Sequence, residues 1–138
     1  MINKNLKNAA NYQPLSPISF LLRTVEIFPE HIAWIYGKKK CTYSKLLDRC
    51  NKLANSLRLL GVKKGNVVSV MLPNVPAMIE AHFGVPMAGG ILNTINTRLE
   101  KTSIEYIIKH SRAKVFIFHE DFYDLVLSLS KEALSSLK

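Results

Sequence analysis

Between Val67 and Asn96 the chain reads VVSVMLPNVPAMIEAHFGVPMAGGILNTIN, and Glu80 and His82 are its only titratable side chains. Val67 to Leu72 is a short apolar run rich in β-branched residues. It lacks the alternation of a one-sided sheet, which predicts a strand covered on both faces. Pro73 ends it. Asn74 is placed to cap a following helix, whose first turn accepts Pro76 because a nitrogen there has no intrahelical acceptor. Ala77, Met78, Ile79, Ala81, Phe83, Val85 and Met87 lie nearly all round that helix. The pattern predicts a helix inside the molecule, with Met78 and Phe83 as core residues. Gly89 and Gly90 end it, and Ile91, Leu92 and Ile95 supply the next strand. A strand, helix and strand joined this tightly predict a right-handed crossover between parallel strands.

The flanking segments follow the same logic. Pro14 to Pro17 turns a polar opening stretch into a helix, with Ser16 as N-cap, Pro17 at the first position and Ile18, Leu21, Leu22, Val25 and Phe28 as its apolar face. His31 to Tyr36 and Lys40 to Tyr43 predict a hairpin, with Gly37, Lys38 and Lys39 making the reversal. Ser44 to Leu60 is the clearest amphipathic helix. Leu46, Cys50, Leu53, Leu57 and Leu60 recur at spacings of four and three, opposite a polar side of Lys45, Asp48, Arg49, Lys52, Asn55 and Arg58. Gly61 is its expected C-cap. Lys63 to Asn66 forms a basic turn into the central strand. Leu99 to His110 predicts a helix with Ile104, Ile107 and Ile108 inward, begun either by a Thr102–Glu105 capping box or at Glu100. Lys114 to Phe118 is a third apolar strand, and Phe122 to Leu134 a closing helix.

The succession defines an α/β chain: a partial doubly wound parallel sheet (βαβαβα) preceded by a helix, a β-hairpin and an amphipathic helix. Residues 1–13 are expected to be a flexible tail, and residues 14–138 the α/β subdomain. Three parallel strands leave an apolar edge, and the closing helix covers one face with nothing later in the chain for the other. Self-association, or pairing with a separate polypeptide, is therefore expected.

Composition changes this picture little. Apolar residues make up 48% and mean hydropathy is +0.08, enough for a core. The net charge of +9 is uneven: residues 1 to 72 hold 12 Lys/Arg against 3 Asp/Glu, and residues 73 to 138 hold 7 of each. Basic residues without aromatic interleaving or a nucleic-acid motif read as a solvated surface, so no nucleic-acid partner is expected. Cys41 and Cys50 have neither zinc-site nor redox-motif spacing. With no apolar signal sequence at the start, a reduced, cytoplasmic setting is the expectation. Pro73, Pro76, Pro86, Asn74, Asn93 and Asn96 interrupt the uncharged centre too often for a transmembrane helix.

Candidate chemistry is sparse. Gly84 to Gly89 has the glycine spacing of a P-loop, but Gly90 and Ile91 stand where Lys and Ser/Thr would hold phosphate and magnesium. These glycines read instead as close helix-to-sheet packing, with Pro86 kinking the helix. Glu80 and His82 point about 200° apart around a helix, which excludes a cooperating pair. His82 reads as a hydrogen-bonded core or interface histidine. His119, Glu120 and Asp121 follow a strand's carboxyl end, where α/β ligand sites occur, but read as a solvated helix start. No catalytic, cofactor-binding or metal residue is assigned.

Several ordered segments nevertheless form a recognisable set. Thr42 to Leu47 (TYSKLL), Leu60 to Gly65 (LGVKKG), Met71 to Asn74 (MLPN), Val85 to Gly89 (VPMAG), Asn93 to Leu99 (NTINTRL) and His110 to Val115 (HSRAKV) together resemble the opening of the adenylate-forming acyl-CoA synthetases. The resemblance spans the chain from about Tyr12. HFGVPMAG combined with LNTINTRL is most similar to the branch acting on short- or medium-chain and related carboxylic acids.

The resemblance implies activation of a carboxylate by ATP to an acyl-adenylate, with loss of pyrophosphate, and capture by the thiol of coenzyme A. Full-length members use ATP, Mg2+ and coenzyme A. Their phosphate loop, adenine-contacting segment, ribose-binding aspartate and C-terminal lysine all come after the region matched here, so no cofactor is expected on this chain alone. Thr42, Tyr43, Asn93, Asn96 and Arg98 occupy matched motif positions and read as architectural. Three functions remain open: the N-terminal part of such a ligase, not competent alone; a non-catalytic partner-binding module; or a basic binder of nucleic acid or membrane surfaces.

Overall fold

The computed structural model describes residues 15–137, so the tail expected over residues 1–13 lies outside the described residues. Helix α1 (Pro17–Ile27) starts as its sequence dictates: the Ser16 hydroxyl accepts from the Ser19 amide, and Ser19 reciprocates to the Ser16 amide. Strands β1 (Ile32–Tyr36) and β2 (Lys39–Thr42) pair antiparallel. Their two-residue turn needs the left-handed backbone that Gly37 supplies at φ +57°.

Helix α2 (Tyr43–Leu59) is capped by Thr42, whose hydroxyl accepts from the Lys45 amide. Leu46, Cys50, Ala54 and Leu57 are buried along one face. Leu60, expected on that face, is exposed because the helix ends before it and Gly61 turns the chain at φ +82°.

The parallel sheet has the order β4-β3-β5, from β3 (Val67–Met71), β4 (Ile91–Thr94) and β5 (Val115–Phe118). Ser69 stands opposite Asn93 on one side and Phe116 on the other. Alternation along the strands sorts the side chains into two layers. Val68, Val70, Val115 and Ile117 pack with α2 and with α3 (Pro76–Met87). Val67, Met71, Phe116 and Phe118 pack with α4 (Lys101–Ser111) and the closing segment. Both faces of the central strand are therefore covered, which corrects the expectation of one bare face. A third cluster, around Leu21, Cys41, Leu46 and Cys50, joins α1 and the hairpin to α2.

The closing helix is shorter than its pattern predicts. A single 3-10 turn (Glu120–Phe122) leads into α5 (Tyr123–Leu127), and turns follow. The Ser128 hydroxyl bonds back to the Leu125 carbonyl, and the Ser130 amide donates to the Glu105 carboxylate instead of to its own helix. That side-chain competition ends the helix. It also redirects Glu105, so the Thr102–Glu105 capping box does not form and Glu100 occupies the N-cap. Val75, not Asn74, is the N-cap of α3.

The buried side of α3 is Glu80, Ala81, Gly84 and Val85, while Ala77, Ile79 and His82 are exposed and Met78 and Phe83 half-buried. The helix is thus not enclosed all round within this chain. Gly84 serves helix-to-helix rather than helix-to-sheet packing: a Cβ there would lie 2.8 Å from Leu53 Cδ2 on α2. Pro86 lies inside the last turn, and Gly89 leaves the helix at φ +87°.

Candidate functional site

The carboxyl ends of β3 and β4 open into a cleft of about 480 Å³, lined by Leu72, Pro73, Asn74 and Met78 on one side and Thr94 to Arg98 on the other. In open α/β sheets, ligands bind outside the carboxyl ends of the strands. Local chemistry shapes this one. The Asn93 amide donates to the buried Ser69 hydroxyl at 2.9 Å, tying β4 to the centre of β3. The Ile95 amide extends the ladder to the Val70 carbonyl at 2.8 Å. Asn96 then folds the chain by accepting from the Arg98 amide at 2.9 Å. Its side chain is spent on that turn, and Arg98 stands exposed at the cleft rim.

His119 emerges at the same end of the sheet, where its amide donates to the Met71 carbonyl. Its ring caps the 3-10 turn by accepting from the Asp121 amide, with the Asp121 carboxylate at 3.2 Å. His119 to Asp121 is thus a helix start. Of the matched motif positions, Thr42 and Tyr43 lie away from the cleft: Thr42 caps α2 and Tyr43 packs against the hairpin cluster. His82 is exposed, with Nδ1 2.8 Å from the Met78 carbonyl, and its surface position corrects the core reading.

Sequence reasoning missed Glu80. This carboxylate is 7% exposed on the buried side of α3 and accepts from Arg49 on α2, Nε to Oε1 at 2.5 Å and Nη2 to Oε2 at 3.1 Å. The visible signal was a lone acid in an apolar helix, since a buried carboxylate needs a cation.

Chemically the cleft offers small polar groups and one cation, without a nucleophile held against a base. Among the described residues no three His, Cys, Asp or Glu side chains gather to hold a metal. Neutral amides, a threonine pair and Arg98 do not make a triphosphate–magnesium site, which needs carboxylates and a backbone cradle.

The comparisons place this geometry in a family. The profile of the AMP-binding enzyme family matches residues 21–137. Among curated proteins, the chain is 49% identical over 116 residues to probable acyl-activating enzyme 12, peroxisomal, from Arabidopsis thaliana, a match covering 84% of this chain and 20% of that protein. It is 46% identical to the peroxisomal benzoate–CoA ligase of the same plant, over 93% of this chain and 21% of the ligase. Among solved structures, the anthranilate–CoA ligase AuaEII in complex with anthranoyl-AMP superposes with TM-score 0.85 at 26% identity, covering 95% of this chain and 25% of that one. A fatty acyl-CoA synthetase from Mycobacterium tuberculosis gives 0.76 at 25% identity, over 80% of this chain and 23% of that one.

The chain belongs to the AMP-binding enzyme family, and corresponds to the N-terminal part of its acyl-CoA synthetases. It spans about a fifth of the length of the curated relatives it matches. No helix among the described residues is long and apolar enough to cross a membrane.

Proposed function

We propose that this chain is the N-terminal structural part of an ATP-dependent carboxylic acid–CoA ligase. The whole enzyme forms acyl-CoA through an acyl-adenylate, and this part does not catalyse alone. The match to a benzoate–CoA ligase across 93% of the chain carries the reading. The substrate class is a short- or medium-chain or related carboxylic acid, a range that includes the benzoate and butyrate in the names of two plant relatives. ATP, Mg2+ and coenzyme A are cofactors of the whole enzyme, held by groups outside the matched region.

The partner in this reading is the remainder of such a ligase, or a second copy of the chain. The outer edges of β4 and β5 support it, because neither has a strand beside it among the described residues. The compartment proposed is the cytoplasm, supported by two buried free thiols. Peroxisomal names among the relatives make imaging of a fluorescent fusion the deciding check.

The activity test is pyrophosphate release from ATP in the presence of benzoate, butyrate or medium-chain acids. The purified chain is expected to match a no-protein control. Mixing it with a polypeptide carrying the downstream part of a plant relative is expected to restore acid-dependent release. Acid-dependent release by the chain alone would overturn the reading.

A further inference from the structure

A second concavity, of about 570 Å³, lies away from the sheet's carboxyl ends, between the β1–β2 hairpin and helices α2 and α3. Five cations line it, Lys39, Lys40, Lys45, Arg49 and Lys52, together with two acids, Asp48 and Glu80. Both acids are already neutralised: Asp48 by Lys52 at 2.8 Å, Glu80 by the two-point contact of Arg49. Lys39, Lys40 and Lys45, which also line the groove, have no carboxylate within ion-pair distance among the described residues, so their charges are uncompensated. Arg49 spends Nε and Nη2 on Glu80, and its Nη1 makes no hydrogen bond there.

The wall of the groove is Trp34, half-buried, with an indole N–H that is buried and has no acceptor among the described residues. The geometry points to a binding site for a polyphosphate anion, a class of ligand that several ammonium groups within one concavity recognise as point charges. The lysines act as point charges, which suit the multiply charged chain of a polyphosphate. Trp34 is the aromatic residue lining the groove, so a nucleoside polyphosphate, whose base can contact it, and an inorganic polyphosphate are the two sources of that chemistry. This site is independent of the ligase reading and shares no residue with the cleft at Arg98.

Trp34 is the chain's only tryptophan, so its fluorescence reports on the groove directly. The chain is titrated at low salt and without magnesium with sodium tripolyphosphate, with ATP and with oligo-glutamate. A saturable change in Trp34 emission with the two phosphate probes, weakening as salt rises, is expected. Tighter binding of ATP identifies a nucleotide site, and equal binding an inorganic one.

Lys39→Gln combined with Lys40→Gln and Lys45→Gln is expected to weaken binding at least about tenfold while far-UV circular dichroism is retained. Lys63→Gln with Lys64→Gln, exposed and outside the groove, is expected to leave affinity unchanged. Equal weakening by that control, no saturable response, or tighter binding of oligo-glutamate than of tripolyphosphate would each overturn the site. Should the triple variant lose its dichroism, Lys45→Gln alone, with an expected several-fold loss, takes its place.

Discussion

The Glu80 side chain on α3 is 9% exposed, whereas the Arg49 side chain that neutralises it from α2 is 56% exposed. The two ends of this ion pair therefore depend on it unequally. Glu80 accepts both of Arg49's hydrogen bonds, and this raises the arginine pKa above its ordinary value. Without Arg49, the buried carboxylate loses both of its hydrogen-bond donors. Without Glu80, the guanidinium turns to water.

Arg49→Ala is accordingly expected to cost about 1–3 kcal/mol, the desolvation cost of a stranded buried group. Glu80→Gln, which keeps the shape and one acceptor, is expected to cost less. Urea unfolding of both variants and of the pair as a double-mutant cycle measures this. Equal costs, or additivity across the cycle, would show that the pair does not join the helices.

This relationship marks the limit of what the sequence reveals. Strand β3, the Ser16 cap and the hairpin were legible because each depends on neighbours within a few positions. The period of α2 correctly separated Leu46, Cys50 and Leu57 from Lys45, Asp48 and Arg49. It held no information on what would lie opposite Arg49, and that turned out to be α3. The closing helix failed for a related reason: Ser130 finds its acceptor on Glu105, 25 positions away. Of the cleft, only Asn96 and Arg98 were visible, as motif positions read as architectural, whereas the strand end singled out in the sequence was that before His119 to Asp121.

Burial separates the core positions in a way the apolar pattern of α3 did not. Ile104 and Leu57 are almost fully buried, so truncating either to alanine is expected to cost about 2–5 kcal/mol. Phe83, half-buried here, is expected to cost less than the ~3–5 kcal/mol of a fully enclosed phenylalanine. Denaturant midpoints at constant m-value decide between them. A larger loss at Phe83 than at Ile104 would mean that α3 is more enclosed in solution than this chain alone makes it.

Gly84 gives a test of the α2–α3 contact. Alanine would normally improve a helix by ~0.5–1 kcal/mol, yet here its Cβ meets Leu53 Cδ2, Cγ and Cβ at 2.8, 3.0 and 3.1 Å. The whole leucine has to move, so Gly84→Ala is expected to destabilise by ~1–3 kcal/mol. In a Leu53→Ala background, where only the Cβ contact at 3.1 Å remains, the cost is expected to be smaller. Destabilisation of equal size in both backgrounds would place the strain elsewhere.

Alkaline pH probes the hairpin cluster. Burial pushes the Cys50 thiol up to about 11 from its ordinary 9.0, and also raises Cys41. A folded state that holds its proton more tightly than the unfolded chain has this stabilisation in full below pH 9, and loses it as pH rises towards 11. Unfolding free energy is therefore expected to fall across that interval, by an amount on the order of 2 kcal/mol for Cys50. Cys50→Ala, although less stable at neutral pH, is expected to flatten the profile. An unchanged slope in that variant would assign the alkaline loss to other groups.

The open sheet leads to a prediction about association. The faces of its central strand are covered, and the unpaired backbone groups are those along the outer edges of β4 and β5. Such edges are normally blunted by charge, proline or a bulge. The strand segments Ile91 to Thr94 and Val115 to Phe118 contain no charged residue and no proline. Ile91 at the start of β4 is 54% exposed, which adds an apolar contact to the unpaired backbone. Concentration-dependent association is therefore expected in sedimentation at micromolar concentration. Ile91→Lys, which places a charge on the β4 edge without entering the core, is expected to shift the chain towards monomer. If the proposed partner pairs with the same edges, addition of the downstream part of a plant acyl-CoA ligase is expected to compete with self-association. A monomer that ignores the downstream polypeptide and melts cooperatively above ~60 °C, beyond most domains from mesophiles, would show that the edges are closed in solution and that the chain stands by itself.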